Sequence, residues 1–261
     1  MGQPQTMTVG NGGTARRIAW RGTAAMGAGA EMPGVFWLAG FNSTMVSTKA
    51  TFLDDWALRH GRAFTRFDYS GTGESRNRFE DGAIGRWLEE SLAVFLACTQ
   101  GPQIIVGSSM GGWLALLLAR ALGENDRQRL AGMVLIAPAV DFTEDLMWAR
   151  FAPETQREIM QKGVWRRPSP YGDAPYPITR ALIEDGRRHL LFGSAIKTGC
   201  PVHILQGMAD PDVPWRHALK LVEHLSGDPV TLTLVKDGDH RLSTPQDIIR
   251  LTDAVAAMAT G

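Results

Sequence analysis

The sequence predicts an α/β fold in which helices cover both faces of a mostly parallel central sheet. Three observations predict it: apolar runs of strand length recur along the 261 residues, segments with helical spacing separate them, and the runs are nearly continuous. Continuous apolar strands are typical of parallel sheets buried on both faces. Alternating strands and helices are typical of three-layer α/β proteins, so we expect one large core around such a sheet.

The predicted elements follow one another in chain order. The strands are expected at residues 34–38, 63–69, 103–106, 132–137, 201–206 and 230–235. The helices between them are expected at residues 48–60, 84–98, 113–122, 215–225 and 245–258. A helix between two successive strands is the usual connection in a parallel sheet, which favours the parallel arrangement.

Residues 140–197 interrupt this alternation after the strand that ends near residue 138. They contain helical segments at 154–161 and 178–191, no persuasive strand, several prolines and many aromatic side chains. A connection of this length between two core strands is unusual. We expect a small helical cap here, with residues 1–139 and 198–261 forming the core. The cap is interpreted as a lid that shapes an apolar pocket, with surface decoration as the alternative.

Composition argues against several classes of protein. Lys and Arg together equal Asp and Glu at 27 each, so no overall field attracts nucleic acid or an anionic membrane. Cys98 and Cys200 are too few for a disulfide framework and are expected to be reduced. No apolar run has the length of a membrane span and no secretory signal pattern is evident, so we expect a cytoplasmic protein.

A glycine-rich turn carries the clearest chemical signal. Residues 107–111 (GSSMG) match the pattern G-x-S-x-G, and they lie where the strand at 103–106 must turn into a helix. In this context the central serine projects above the sheet, and the glycines allow neighbouring chain to approach closely. Ser109 is therefore the predicted nucleophile. The alternative is a glycine-rich turn with an inert serine.

A serine hydroxyl becomes an effective nucleophile when a base accepts its proton and an acid orients that base. The chain order for this turn is serine, acid, histidine, and His240 follows the last predicted strand in a glycine-containing loop. We prefer Asp210 as the acid, since stabilising a helix N-terminus explains Asp212 without catalysis. Asp141 is a third alternative, although we favour its interpretation as a residue at the hinge of the cap.

Two donors are needed for the oxyanion that forms when a carbonyl is attacked. The backbone N–H of Met110, directly after the nucleophile, is the first expected donor. The second is expected in the glycine turn of residues 38–43 (LAGFNS), from the backbone of Phe41 or of the neighbouring Asn42. A glycine turn without catalytic meaning is the alternative.

The expected substrate pocket lies beside these groups. Its predicted lining residues are Asn42, Trp148, Trp165 and Tyr171. The aromatic composition of the cap favours a medium or long acyl chain, or an aromatic one. No cofactor is expected, because residues 68–75 (DYSGTGES) lack the glycine spacing of nucleotide-binding loops. No metal is expected either, because no histidine pair or Cys/His cluster has the spacing of metal ligands.

Taken together, these stretches resemble the α/β-hydrolase superfamily over about residues 34–255. They occur in the family's order: the strand before Gly40 and Phe41, residues 68–75, the turn around Ser109, residues 207–214 (GMADPDVP), and the Gly-Asp-His that ends at His240. The resemblance implies a hydrolase fold with a Ser-His-Asp triad on these positions.

A narrower resemblance concerns one group of these hydrolases. Residues 107–114 (GSSMGGWL), residues 162–165 (KGVW) with Pro168 and Tyr171 after them, and residues 213–215 (VPW) are similar to that group. Its mitochondrial animal member is described as a depalmitoylating thioesterase and acyl-glucuronide esterase. The resemblance implies Ser109, Asp210 and His240 as the triad. An Arg- and Ser-rich presequence is not evident, so organelle targeting is not carried over.

The function predicted from the sequence is hydrolysis of carboxylic esters or thioesters through an acyl-enzyme intermediate. The expected partner is a small-molecule or acylated substrate with an apolar acyl group, with no nucleic acid and no membrane span. Two alternatives stay open: a hydrolase of carbon-carbon bonds that uses the same triad, and a non-catalytic ligand-binding relative. The sequence makes no prediction of oligomeric state.

Overall fold

A single sheet forms the centre of the molecule. The computed structural model describes residues 3–168 and 175–258. Within these ranges eight strands belong to the central sheet, and two short strands pair elsewhere. In chain order the ten strands are β1 (Gln5–Val9), β2 (Arg16–Thr23), β3 (Gly34–Leu38), β4 (Phe64–Phe67), β5 (Gln103–Ser108), β6 (Leu130–Ile136), β7 (Val164–Arg167), β8 (Tyr176–Thr179), β9 (Val202–Gly207) and β10 (Val230–Val235).

The central sheet is mostly parallel, in the order β1-β2-β4-β3-β5-β6-β9-β10. β2 is antiparallel to both β1 and β4, whereas all pairs from β4 to β10 are parallel. Every residue of β3, β4 and β5 is buried, as expected for strands covered on both faces. The predicted α/β class and parallel core are confirmed, and the antiparallel edge formed by β1 and β2 is an addition to the prediction.

Helices flank this sheet. In chain order they are α1 (Thr48–Arg59), α2 (Ile84–Cys98), α3 (Met110–Ala121), α4 (Glu124–Arg127), α5 (Pro153–Lys162), α6 (Arg180–Gly186), α7 (Trp215–His224) and α8 (Pro245–Ala257). α3 is the most central, since its residues from Met110 to Ala119 are all buried. Among the described residues, no helix combines the length and the apolar character that a membrane crossing requires.

The segment between β6 and β9 has structure of its own. It contains α5, α6 and a short antiparallel pair in which Val164 lies opposite Thr179 and Arg167 opposite Tyr176. The expected helical segments are thus accompanied by a strand pair, and the expectation that this segment contains no strand is wrong. The strands β7 and β8 are only four residues long and lie among charged residues and proline, so the apolar pattern of a core strand is missing.

The turn between β5 and α3 depends on very close backbone contacts. A Cβ on Gly111 would lie 2.1 Å from the carbonyl oxygen of Leu38, and a Cβ on Gly107 would lie 2.4 Å from the carbonyl oxygen of Gly111. Both distances are far below van der Waals contact and involve backbone atoms. The two glycines therefore let the first turn of α3 press against the ends of β3 and β5.

This packing generates a stability prediction. Gly111→Ala is expected to lower the free energy of unfolding by about 1–3 kcal/mol, the usual cost of overpacking, and Tm by roughly 3–10 °C. Gly123→Ala is the matched control, because a Cβ there meets no atom within 4 Å. Thermal unfolding followed by circular dichroism measures both variants. Equal melting temperatures for the two would contradict the account of this turn.

Candidate active site

Ser109 occupies a strained position at the carboxyl end of β5. Its backbone has φ 54° and ψ −117°, a conformation that non-glycine residues rarely adopt. The strain is held by hydrogen bonds: the Ser109 N–H donates to the carbonyl of Ile136 at 2.8 Å, and its own carbonyl accepts from Gly112 at 2.9 Å. Ser109 thus lies between the end of β5 and the start of α3, and its side chain lines a cavity above the sheet.

The two other members of the predicted triad lie beside it. His240, in the loop after β10, has its Nε2 atom 3.1 Å from Ser109 Oγ. Its Nδ1 atom lies 2.8 Å from Oδ2 of Asp210, in the loop after β9. The three residues come from the carboxyl ends of three parallel strands, where open α/β sheets place their sites. Residues 131 positions apart in the chain are thereby brought within hydrogen-bonding distance.

The carboxylate of Asp210 is fully enclosed and fully hydrogen-bonded. Its side chain has 0% exposure. Oδ1 accepts the backbone N–H groups of Asp212 at 2.8 Å and Val213 at 2.9 Å, and Oδ2 accepts from Gln206 Nε2 at 3.3 Å as well as facing His240. A carboxylate held by this many donors has one orientation available. Gln206 is a residue that sequence reasoning missed, because nothing marks it out within a buried strand.

The other two carboxylates considered for the acid have different surroundings. Asp141, after β6, accepts the backbone N–H groups of Leu191 and Phe192 at 2.8 to 3.0 Å, and burial raises its pKa. It therefore ties the start of the inserted segment to its end. Asp212 is half-buried, lines the cavity and gives its backbone N–H to Asp210.

Three of the remaining histidines have local partners away from Ser109. His217 Nε2 lies 2.8 Å from the carbonyl oxygen of Val140, and burial lowers the pKa of this imidazole. His203 pairs with Thr233 at 2.9 Å, and burial lowers its pKa too. His224 contacts the carbonyls of Lys220 and Phe192. These contacts give the three residues structural roles.

The loop after β3 lies directly against Ser109. A Cβ on Gly40 would be 3.2 Å from the Ser108 carbonyl oxygen and 3.4 Å from the Ser109 Cβ, so the chain passes within contact distance of the nucleophile's position. No hydrogen bond among the described residues uses the backbone N–H of Phe41 or of Met110. Both residues line the cavity, so their N–H groups are available to a ligand there.

The Phe41 ring anchors this loop in an aromatic cluster. The centroids of four rings lie within 6 Å of the Phe41 centroid, and they belong to Phe79 at 5.1 Å, Phe142 at 5.7 Å, Tyr176 at 5.8 Å and Trp87 at 5.9 Å. Edge-to-face pairs of this kind contribute beyond their buried area. The cluster joins the β3 loop to α2 and to the inserted segment, and it fixes the backbone that faces Ser109.

A cavity of about 620 Å³ contains Ser109 and His240. The segment between β6 and β9 contributes an apolar wall to this cavity, which consists of Ala139, Phe142, Leu146, Met147, Phe151, Trp165 and Tyr176. Of the residues predicted for the pocket, Asn42 and Trp165 line the cavity. Trp148 is not among its described lining residues, and its ring instead lies 4.8 Å from the Arg187 guanidinium. Tyr171 lies outside the described residues.

Lys49, at the start of α1, is a further residue of the site that sequence reasoning missed. Its ammonium group donates to the carbonyl of Arg241 and lies 3.3 Å from Ser243 Oγ, so it reaches the loop that carries His240. Burial lowers the pKa of Lys49 to about 8, partly offset by Asp239. A lysine on an amphipathic helix is normally a solvated residue, and the sequence holds no signal that distinguishes this one.

One group of potential metal ligands occurs among the described residues. Side-chain atoms of Asp210, Asp212 and His240 lie within 4.8 Å of one another. Asp210 and His240 already face each other at 2.8 Å, and His240 faces Ser109 through its second nitrogen. These contacts use both imidazole nitrogens, which favours proton transfer over metal ligation at this position.

Known proteins are similar to this chain over most of its length. Residues 27–251 match the family described as the Alpha/beta hydrolase family. The chain is 34% identical over 219 residues to a human protein named palmitoyl-protein thioesterase ABHD10, mitochondrial, covering 84% of this chain and 70% of the relative. The protein of that name from Bos taurus is 36% identical with the same coverage.

The expected cytoplasmic location is wrong, because these relatives are named as mitochondrial proteins.

Solved structures of hydrolases are similar to this chain as well. A putative hydrolase from Agrobacterium vitis S4 superposes with a TM-score of 0.93 at 51% identity, covering 98% of each chain. Mouse alpha/beta hydrolase domain-containing protein 10 superposes with a TM-score of 0.83 at 30% identity, covering 97% of this chain and 98% of the mouse chain. With the sequence match over residues 27–251, these similarities show that the chain belongs to the alpha/beta hydrolase family.

Proposed function

We propose that the protein hydrolyses carboxylic esters or thioesters with an apolar acyl group, through an acyl-enzyme on Ser109. The observation that carries the proposal is the pair of distances at His240, 3.1 Å to Ser109 Oγ and 2.8 Å to Asp210 Oδ2. The palmitoyl-thioesterase name of the curated relatives supports the same reaction class.

Acylation is the first half of the proposed reaction. His240 Nε2 removes the hydroxyl proton as Ser109 Oγ bonds to the substrate carbonyl carbon, and the carbonyl oxygen becomes an oxyanion. The backbone N–H groups of Phe41 and Met110 donate to that oxygen. The bond to the leaving alcohol or thiol then breaks, and His240 returns the proton to it. Asp210 keeps Nδ1 protonated throughout, so that Nε2 is the basic nitrogen.

Deacylation repeats these steps with water. His240 takes a proton from a water molecule that attacks the ester on Ser109, and the same two N–H groups hold the second oxyanion. Collapse of this intermediate returns the proton to Ser109 Oγ and releases the carboxylic acid. All atoms come from the substrate, the water and this chain, so the proposed reaction needs no cofactor.

In this proposal the side chains of the inserted segment determine which class of substrate binds. We infer that residues 140–197 act as a cap, because their aromatic and aliphatic side chains form about half of the apolar lining of the 620 Å³ cavity. A volume of this size is within the usual range for small-molecule pockets. The apolar wall opposite Ser109 favours an aliphatic or aromatic acyl group over a polar one.

Removal of the nucleophile is the direct test. Ser109→Ala is expected to lower kcat for a p-nitrophenyl ester by about 10⁴-fold to 10⁶-fold, because no oxygen remains to form the acyl-enzyme. Ser108→Ala is the matched control and is expected to stay within about ten-fold of wild type. Circular dichroism checks that both variants fold. Equal turnover by the two variants would contradict the assignment.

The acid assignment gives a second test. Asp210→Asn is expected to lower kcat by about 10⁴-fold, because an amide in this position stabilises the wrong tautomer of His240. Asp212→Asn is the neighbouring control, with an expected change below about ten-fold, since Asp210 is the carboxylate that faces His240 Nδ1 at 2.8 Å. Steady-state kinetics on one ester substrate compare them. A larger loss in Asp212→Asn than in Asp210→Asn would move the acid to position 212.

Lys49 is proposed to position the base by holding the carbonyl of Arg241, next to His240. Lys49→Met is expected to lower kcat about ten-fold at pH 7, the effect of losing one charge-assisted hydrogen bond. Its pKa of about 8 means that the ammonium charge is present at pH 7 and lost as pH rises through 8. The ratio of wild-type to variant activity should therefore fall between pH 7 and pH 9.5.

Lys236 provides the control for this pH profile, because it is exposed and lies seven residues before Ser243, close to the same loop in the sequence. Lys236→Met is expected to leave both the activity and its pH dependence unchanged. A wild-type to Lys49→Met ratio that stays constant across this range would indicate a structural role for Lys49 alone.

A further inference from the structure

Positive side chains outnumber negative ones around the cavity, although the whole chain contains equal numbers of the two. Formal net charge is zero, yet the described residues that line the cavity include four cationic side chains and one acidic one. The cations are Lys49, Arg150, Arg167 and Arg241, and the acid is Asp212. Positive charge is therefore in excess among the described residues that line the cavity.

Two of these cations lack an acidic partner among the described residues. Arg167 contacts the ring of Tyr176, with Cζ 6.0 Å from the centroid, and Arg150 donates to the backbone carbonyl of Asp212 at 3.3 Å. Other arginines of the same segment pair with carboxylates. These pairs are Arg157 with Glu154, Arg166 with Glu80, Arg180 with Glu184, and Arg187 with Glu144. Arg150 and Arg167, which line the cavity, thus differ from these arginines in having no carboxylate partner among the described residues.

The positions of Arg150 and Arg167 indicate which part of a bound substrate they would contact. Arg150 is exposed and Arg167 is half-buried, so solvent reaches the cavity beside both residues. The inner wall is apolar and suits an acyl chain. A substrate with its carbonyl at Ser109 and its acyl chain on that wall directs its alcohol or thiol portion toward the opening.

We propose that Arg150 and Arg167 form a subsite for an anionic leaving group, specifically a phosphorylated thiol or alcohol. This inference rests on the proposed hydrolysis at Ser109. Guanidinium groups are planar forks that bind phosphate oxygens in pairs, and two of them match the two charges of a phosphate monoester better than the single charge of a carboxylate. Asp212 opposes an anion, but the four cations outnumber it.

Matched thioesters test this subsite, because they differ only in the 4′-phosphate group. S-octanoyl-4′-phosphopantetheine and neutral S-octanoyl-pantetheine share the acyl group and the thiol. Wild-type kcat/KM is expected to be about ten-fold higher or more for the phosphorylated compound at low salt, and the ratio should fall with added salt. In the double variant Arg150→Gln, Arg167→Gln the ratio is expected to approach one.

Arg166→Gln is the matched control, since Arg166 precedes Arg167, is exposed and pairs with Glu80 outside the cavity lining. It should keep the wild-type ratio. A wild-type ratio near one, or a high ratio that survives in the double variant, would overturn the subsite. Hydrolysis of the neutral thioester in these cases would leave the proposed function standing, whereas no hydrolysis of either thioester or of a p-nitrophenyl ester would remove both.

A second pair of substrates distinguishes phosphate from carboxylate. S-octanoyl-N-acetylcysteine carries one carboxylate at neutral pH, and its methyl ester is the neutral counterpart. We expect the charged-to-neutral ratio of kcat/KM to be smaller for this pair than for the phosphopantetheine pair. A larger ratio for the carboxylate pair would overturn the assignment to phosphate.

Discussion

The site depends on the close contact between the first turn of α3 and the end of β3. Without side chains at positions 107 and 111, the helix begins almost on top of the Leu38 carbonyl, and the chain can turn there only by taking Ser109 into a left-handed conformation. That conformation costs about 1–3 kcal/mol, and it persists because the packing of the buried sheet and helix around it compensates for this cost. The strain is what places a hydroxyl above the sheet, facing the loops after β9 and β10.

The rest of the site is an arrangement that holds a histidine against that hydroxyl. Asp210 is enclosed by backbone N–H groups and by Gln206, and it fixes one nitrogen of His240. Lys49 holds the other side of the same loop through the Arg241 carbonyl. The cationic opening meets solvent and the departing part of a substrate.

Much of the core was predictable because its signals are local. The buried strands read as continuous apolar runs, and the five core helices begin and end within a few residues of their predicted limits. The antiparallel strands β1 and β2 were missed because neither is a continuous apolar run: β1 is mostly exposed and polar, and β2 contains three arginines. The strands β7 and β8 were missed because they are short and contain charged residues or proline. The contributions of Lys49 and Gln206 depend on contacts between distant segments, which no local pattern encodes.

Covalent labelling tests the central claim most directly. A fluorophosphonate probe reacts with a serine whose proton is taken by a positioned histidine, so the account predicts one adduct per chain on the peptide that contains Ser109. The same experiment on a folded His240→Ala variant should give labelling slower by orders of magnitude. Intact-mass and peptide mass spectrometry measure both. A folded wild-type protein that stays unlabelled, or that is labelled at another residue, would contradict the account.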